Sequence, residues 1–281
     1  MSRASSSKRG AVASASAPEQ ALENEAEPDR QFVTALARGL EILRCFSAER
    51  RWLGTTEIAH LTGLAQPTVW RLCHTLQKTG FLSVVPGKDK LQLGVAAIAL
   101  GGAALAGQEA LEVIRPMLQA FADRYQVAVA LGRREDDSIV YLLRCQGNSP
   151  LLMNLRVGSR IPLFHSAIGW AYLACCSAEE RAQLLAEAAE QGKLAEPAER
   201  KAMDAALLAY GEQGFLIHER PQYQINTVAA AIELPFNERY VISCGGPASL
   251  LPSALLQAEV GPLLADLARQ LHPVLLMGRN V

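Results

Sequence analysis

Two sets of side chains in this 281-residue chain are of types that do chemistry. The first holds nucleophiles and a base: Cys175, Cys176, His165, Ser166 and Ser243. A thiol or hydroxyl beside an imidazole is the arrangement used for acyl transfer. Around them the sequence has no Gly-x-Ser-x-Gly, no phosphate loop, no His-Glu-x-x-His and no dinucleotide fingerprint, so a hydrolase is the weaker reading and no enzyme is expected. The second set is Thr68, Trp70, Arg71, His74, Thr75 and Lys78, which share one side of a helical pattern. Hydroxyls, an imidazole and two cations on one helix face suit hydrogen bonding to base edges and phosphates.

The elements that must position this second set can be read from spacing. Val69, Leu72, Cys73 and Leu76 recur at intervals of three and four, opposite the polar face. Pro67 suits the first turn of that helix, where its missing amide hydrogen costs nothing. Before it, a shorter helix with Ile58, Ala59 and Leu61 is expected to start at Thr55 or Thr56 through a threonine cap. Gly63 fits the tight turn between the two. After Gly80, Phe81–Val85 and Lys90–Leu93 read as short strands joined by Pro86-Gly87-Lys88-Asp89. The whole is a helix-turn-helix with a wing, on which Lys88 and Lys90 are placed to reach phosphates. The preceding helix, Phe32–Ala48, has a stripe of Leu36, Leu40, Leu43 and Phe46, with Arg38 on its other side as a backbone-contact candidate. Trp52 reads as a core residue.

Charge agrees with this division. Residues 1–30 carry net −1, residues 31–94 net +4 and residues 95–281 net −4. A basic module on an acidic body suits a DNA reader joined to a domain that does not bind DNA. Residues 1–30 hold almost no large apolar side chains and are expected to be a disordered tail. No apolar run reaches the roughly 18 residues of a membrane span, and the first residues lack a secretory signal. The six cysteines contain no Cys-x-x-Cys and most sit in apolar patterns. They read as reduced thiols in a cytoplasm, with no metal and no cofactor.

Residues 95–110 are rich in Ala, Gly and Leu and read as a linker helix that also pairs two subunits. From 111 to 281 an α+β domain follows. Leu111–Tyr125 is a helix that Pro116 should kink or restart. Val127–Leu131, Ile139–Arg144 and Leu151–Val157 read as strands, Ser166–Cys176 as a helix, and Ala178–Gln191 and Ala198–Gln213 as two more. Phe215–Glu219, Val228–Leu234 and Arg239–Cys244 return to strand before a last helix over Pro252–Leu271.

Across residues 32–275 the chain resembles the IclR family of bacterial transcriptional regulators. The resemblance rests on Ala37-Arg38-Gly39-Leu40-Glu41-Ile42-Leu43, the winged motif Thr55–Phe81 with Leu91–Gly94, and Val157-Gly158-Ser159-Arg160-Ile161-Pro162-Leu163. It continues with Ser166-Ala167-Ile168-Gly169, Leu173-Ala174, Gly214-Phe215, Glu219, Ala229-Ala230 and Gly246-Pro247, and Phe32–Leu40 is most similar to the subgroup regulating aromatic-acid catabolism. It implies a winged helix-turn-helix over 31–94, a linker helix and a GAF/PAS-like α/β effector-binding domain. It further implies a ligand-responsive regulator of a catabolic operon, acting on palindromic double-stranded operator DNA as a homodimer or dimer of dimers, and leaves RNA polymerase open as a further partner.

By the family's pattern Gln66, Thr68, Arg71 and Thr75 meet DNA, and with Arg38, Thr55, Lys88 and Lys90 they form the candidate interface. Arg71 either pairs bidentately with guanine or contacts a phosphate. The same pattern places Met153, Ile161, Ser166, Ala167, Ile168, Ile225, Thr227, Ser243 and Gly245 around a small organic acid. A helix start at Ser166–Ile168 and three hydroxyls would orient its carboxylate. The chain departs from the pattern at Phe164-His165, Trp170, Gln224 and Ala231, and has no acidic residue before Glu219. A larger or aromatic effector is expected from these changes. The residual alternative is a winged-helix module that binds protein.

Overall fold

The computed structural model describes residues 31–149, 155–194 and 196–278. The expected tail (1–30) and Met153 lie outside these residues, as does most of the strand expected at Leu151–Val157. Of that strand, Leu155–Val157 are described and are not β-structure; the strand forms later, at Arg160–Pro162.

The N-terminal part is three helices and a hairpin: α1 (Thr34–Arg44), α2 (Thr55–Thr62), α3 (Gln66–Lys78), β1 (Leu82–Val84) and β2 (Leu91–Leu93). Gly63 closes α2 at φ +67°, the left-handed conformation a glycine adopts at no steric cost. The cap at the start of α2 is Gly54, not a threonine. The expected cap from Thr55 or Thr56 is not made; instead the Glu57 carboxylate turns back to accept the Gly54 amide at 2.6 Å. Leu53 pairs with Leu91, adding a short third strand beside the wing. Ile42, Phe46, Ile58, Val69, Cys73 and Leu82 make the core.

Two expectations here are corrected. Leu36 and Leu40 do not face this core: they are 62% and 52% exposed, and α1 turns Gly39 and Ile42 inward. Helix α1 carries two apolar stripes, and among the described residues only one is packed against the core. Trp52 is likewise exposed; its indole donates to Gln92 at 3.2 Å and lies under the Lys88 ammonium.

Helix α4 (Val95–Ala106) buries none of its side chains, and Val95 and Ile98 are 79% and 72% exposed. The chain turns through 83° at Gly107-Gln108 into α5 (Glu109–Tyr125), which runs unbroken through Pro116 instead of restarting there. The missing amide removes one hydrogen bond. Packing of Leu111, Ile114, Leu118 and Ala122 into the domain core holds the helix across that gap.

The C-terminal part is a six-stranded antiparallel sheet in the order β5-β4-β3-β8-β7-β6. Its strands are β3 (Ala128–Glu135), β4 (Ser138–Gln146), β5 (Arg160–Pro162), β6 (Leu216–Arg220), β7 (Ile225–Leu234) and β8 (Glu238–Pro247). Alternation of side chains across each strand feeds two cores. Val129, Leu131, Leu143, Val228, Ile242 and Cys244 meet α5 and the last helix, α9 (Gly261–Met277), which a π-turn at Leu256–Val260 leads into. Ala130, Tyr141, Ala229 and Val241 face the other way, toward α6 (Ala167–Ala174), α7 (Ala178–Glu190) and α8 (Pro197–Gln213). Among the described residues no single helix is long and apolar enough to cross a membrane.

Candidate DNA interface and effector cleft

On α3 the buried residues are Val69 and Cys73. The direction opposite them is occupied by Pro67, Arg71, His74 and Lys78, all exposed, so Arg71 projects from the middle of the outer face. Thr68 and Thr75 flank it on the side of α1. There a groove of about 480 Å³ also includes Arg38. Thr75 donates its hydroxyl to the Arg71 carbonyl at 3.1 Å, and Gln66 donates to the Thr56 hydroxyl at 3.1 Å. On the other flank a second groove, about 350 Å³, runs between α3 and the wing and includes Thr55 and Lys90. The Lys90 ammonium is held 3.1 Å from Glu57, the residue that caps α2, and Lys88 lies 3.9 Å from the Trp52 ring centre. Both wing cations are thus anchored at the surface by contacts within the chain. Of the eight candidates, Arg38, Thr68, Arg71 and Thr75 line the first groove and Thr55 and Lys90 the second, while Gln66 and Lys88 line neither. Trp70 and His74, read from the sequence as part of the polar face but not among the eight candidates, border both grooves and stack with ring centres 5.7 Å apart.

The second candidate site opens between the sheet and the start of α6. Ser166 caps this helix: its hydroxyl accepts the Gly169 amide at 3.2 Å and donates to the Pro162 carbonyl at 2.6 Å. Gly169 is dictated by the approach of the preceding turn, since a Cβ there would lie 2.0 Å from the Leu163 carbonyl oxygen. In front of this helix start is a cleft of about 300 Å³, within the size range of small-molecule sites. Ile161, Ser166, Ala167, Ile168, Ile225, Thr227 and Ser243 all line it. Gly245 lines a recess of about 50 Å³ that shares Tyr141, Leu155, Ile225, Thr227 and Ser243 with the cleft.

The space exists because the floor is small. Ser243 pairs with Ala130 and Ala229, and Gly245 with Ala128 and Thr227, so neighbouring strands present only small side chains. A Cβ at Gly245 would come within 3.0 Å of the Thr227 hydroxyl.

Seven further lining residues were not among the candidates: Tyr141, Leu155, Arg160, Pro162, His165, His218 and Arg220. Tyr141, Arg160, His165, His218 and Arg220 add polarity to the rim and wall. His218 pairs with Thr227 and Arg220 with Ile225, which brings β6 into the cleft. His218 stacks on Trp170 with ring centres 4.0 Å apart, and burial pushes its imidazole down to about 4, so it is uncharged at neutral pH. Trp170 donates in turn to the Phe164 carbonyl at 2.9 Å. Burial also holds the Tyr141 hydroxyl protonated, against a hydrogen bond to Ser243. His165, at the cleft mouth, lies 3.2 Å from Glu199 and 3.0 Å from the Lys193 carbonyl.

These bonds leave no nucleophile assembled. Ser166 is occupied by capping, and His165 is held by Glu199 and Lys193. Burial raises the Cys175 thiol and pushes Cys176 up to about 12, opposite to the direction that activates a thiolate. All six cysteines are free, and among the described residues no group of three or more His, Cys, Asp or Glu is placed to hold a metal.

Comparison with known proteins follows the same two-part division. Residues 35–86 match the IclR helix-turn-helix domain, and residues 102–272 match the bacterial transcriptional regulator IclR C-terminal domain. The chain is 30% identical to the HTH-type transcriptional regulator TsaQ1/TsaQ2 of Comamonas testosteroni, over 86% of this chain and 88% of that protein. It is 31% identical to the Pca regulon regulatory protein of Pseudomonas putida, over 52% and 50% of the two chains. Among solved structures, an IclR family transcriptional regulator from Brucella abortus superposes with a TM-score of 0.79 at 37% identity, covering 87% of this chain and 94% of that one. An IclR homologue from Microbacterium hydrocarbonoxydans, complexed with 4-hydroxybenzoate, shares the fold with a TM-score of 0.63 at 21% identity, over 86% and 99%.

Proposed function

The chain belongs to the IclR family of transcriptional regulators, and on that premise we propose that it regulates a catabolic operon in the cytoplasm in response to a small organic acid, aromatic in class. Regulators of this family bind DNA and small-molecule effectors. The observation that carries the finer reading is the convergence of seven candidate residues from β5, α6, β7 and β8 on one cleft of about 300 Å³, a volume that suits a single aromatic ring. Its chemistry is suited to an aromatic acid. The Arg220 guanidinium and the α6 N-terminus favour a carboxylate, and Ile161, Ile168 and Ile225 offer apolar walls.

The operator is read by α3, with Arg71 central, Thr68 and Thr75 beside it, and Arg38, Thr55, Gln66, Lys88 and Lys90 around them. Two copies pair through the exposed apolar faces of α1 and α4, which sets two reading helices about 34 Å apart on the duplex. A dimer of dimers and a contact with RNA polymerase extend this scheme. An effector acts by preferring one arrangement of the paired chains, to the extent of its difference in affinity for the two.

The test is a gel shift with fragments upstream of the chain's own gene and its neighbours, with and without 4-hydroxybenzoate and related acids. A salt-sensitive specific shift that an acid changes supports the reading. Folded protein that shifts none of the fragments would overturn it.

A further inference from the structure

We propose that Trp70 is a base-reading residue that seats the 5-methyl group of an operator thymine against its indole. The proposal rests on the reading that α3 enters DNA. Trp70 is 61% exposed on a helix whose own core is already complete with Val69 and Cys73. An indole left in water on a polar face needs a reason, because tryptophan is highly buried on average. Its ring is not loose: it stacks on His74 with an interplanar angle of 13°, which holds it as a flat plate. The plate stands between the α1-side groove and the wing-side groove, next to Arg71. It also lies in the first half of α3, the part of a recognition helix that contacts base edges.

The surroundings select the occupant. Arg71, Lys78 and Arg38 are cations on or beside this face, and residues 31–94 carry net +4, which favours a nucleic acid over a second copy of the chain. The apolar surfaces left for a subunit lie elsewhere, on α1 and α4. Within the major groove the thymine methyl is the one apolar group that a base pair displays, and the indole face has no hydrogen-bonding atom to offer the others.

The experiment uses the full-length chain. Random duplexes are selected for binding, and each thymine of the winning site is replaced singly by deoxyuridine, which keeps pairing and removes only the methyl. Affinity is read by fluorescence anisotropy. Wild type is expected to lose about fourfold at one thymine per half-site, the transfer free energy of one methyl, and about fifteenfold when both half-sites are replaced. W70A is expected to bind the thymine duplex more weakly and to show no penalty at that position, while other positions and the salt slope stay as in wild type. W70F, which keeps an aromatic plate, is expected to retain the penalty and checks that the helix folds. Deoxyuridine profiles that are the same for W70A and wild type would overturn the proposal. So would a changed oligomeric state of W70A without DNA, which would make Trp70 a subunit contact. Wild type that selects no sequence would instead overturn the DNA-reading function itself.

Discussion

Arg71 and His218 show how far single residues can be understood from their surroundings. Arg71 stands opposite the buried stripe of α3, so Arg71→Ala removes no core contact. It is expected to weaken specific operator binding by about 1–3 kcal/mol at unchanged melting temperature if the guanidinium grips a guanine. An equal loss on all DNA sequences, measured by anisotropy, would instead mark a phosphate contact. His218 is the pH-sensitive element. Its folded-state value of about 4 lies below the ordinary histidine range, so between about pH 6.5 and 4 the unfolded chain binds the extra proton. Stability is therefore full above pH 6.5 and falls by up to roughly 3 kcal/mol as pH drops to 4. Denaturant titrations of His218→Gln are expected to lack that loss. The sequence made Arg71 legible because one helical period separates faces. It hid His218, Arg220 and Tyr141, because β4 and β6 are brought to one cleft by the pairing of β3 with β8, whose partners lie 107 to 117 residues apart in number.

At the level of elements, periodicity located nearly every helix and strand but not what each one packs against. Helix α1 was read with Leu36 and Leu40 inward, yet it buries Gly39 and Ile42. An amphipathic pattern says that a face is apolar, not whether its cover comes from the same chain. Pro116 misled in the opposite way, because tertiary packing of α5 outweighs one lost hydrogen bond. Of the strand expected at Leu151–Val157, the described part, Leu155–Val157, is not β-structure, and Arg160–Pro162 pair with β4. For α4, whose side chains are all at least partly exposed, Ile98→Asp is expected to leave the unfolding free energy of the separated chain within about 0.5 kcal/mol of wild type. Light scattering is expected to show a shift from dimer to monomer. A dimer that persists would move the pairing surface elsewhere.

Over the whole molecule, the reading head and the cleft domain meet at a cluster of charges. Arg44, at the end of α1, lies 2.7 Å from Glu135 on β3, and Arg160 on β5 lies 2.5 Å from the same carboxylate. Arg160 also lines the cleft, so one carboxylate touches both the DNA-binding part and a cleft residue. The pairs are substantially exposed and worth at most about 1 kcal/mol. Glu135→Gln is therefore expected to leave effector affinity intact, measured by calorimetry, and to shrink the effector's influence on operator affinity by about two- to fivefold. No spacing rule could reveal this cluster, since it joins Arg44 to residues 91 and more positions along the chain.

A helix such as α4, with no side chain fully buried in its own chain, ties the fate of one gene copy to another if, as proposed, it pairs two chains. When intact chains and Arg71→Ala chains pair at random in equal numbers, about a quarter of the pairs keep two working heads. With the proposed pairing through α4, a defective allele that retains Val95–Ala106 is expected to be dominant over a healthy one, and the same allele carrying Ile98→Asp recessive.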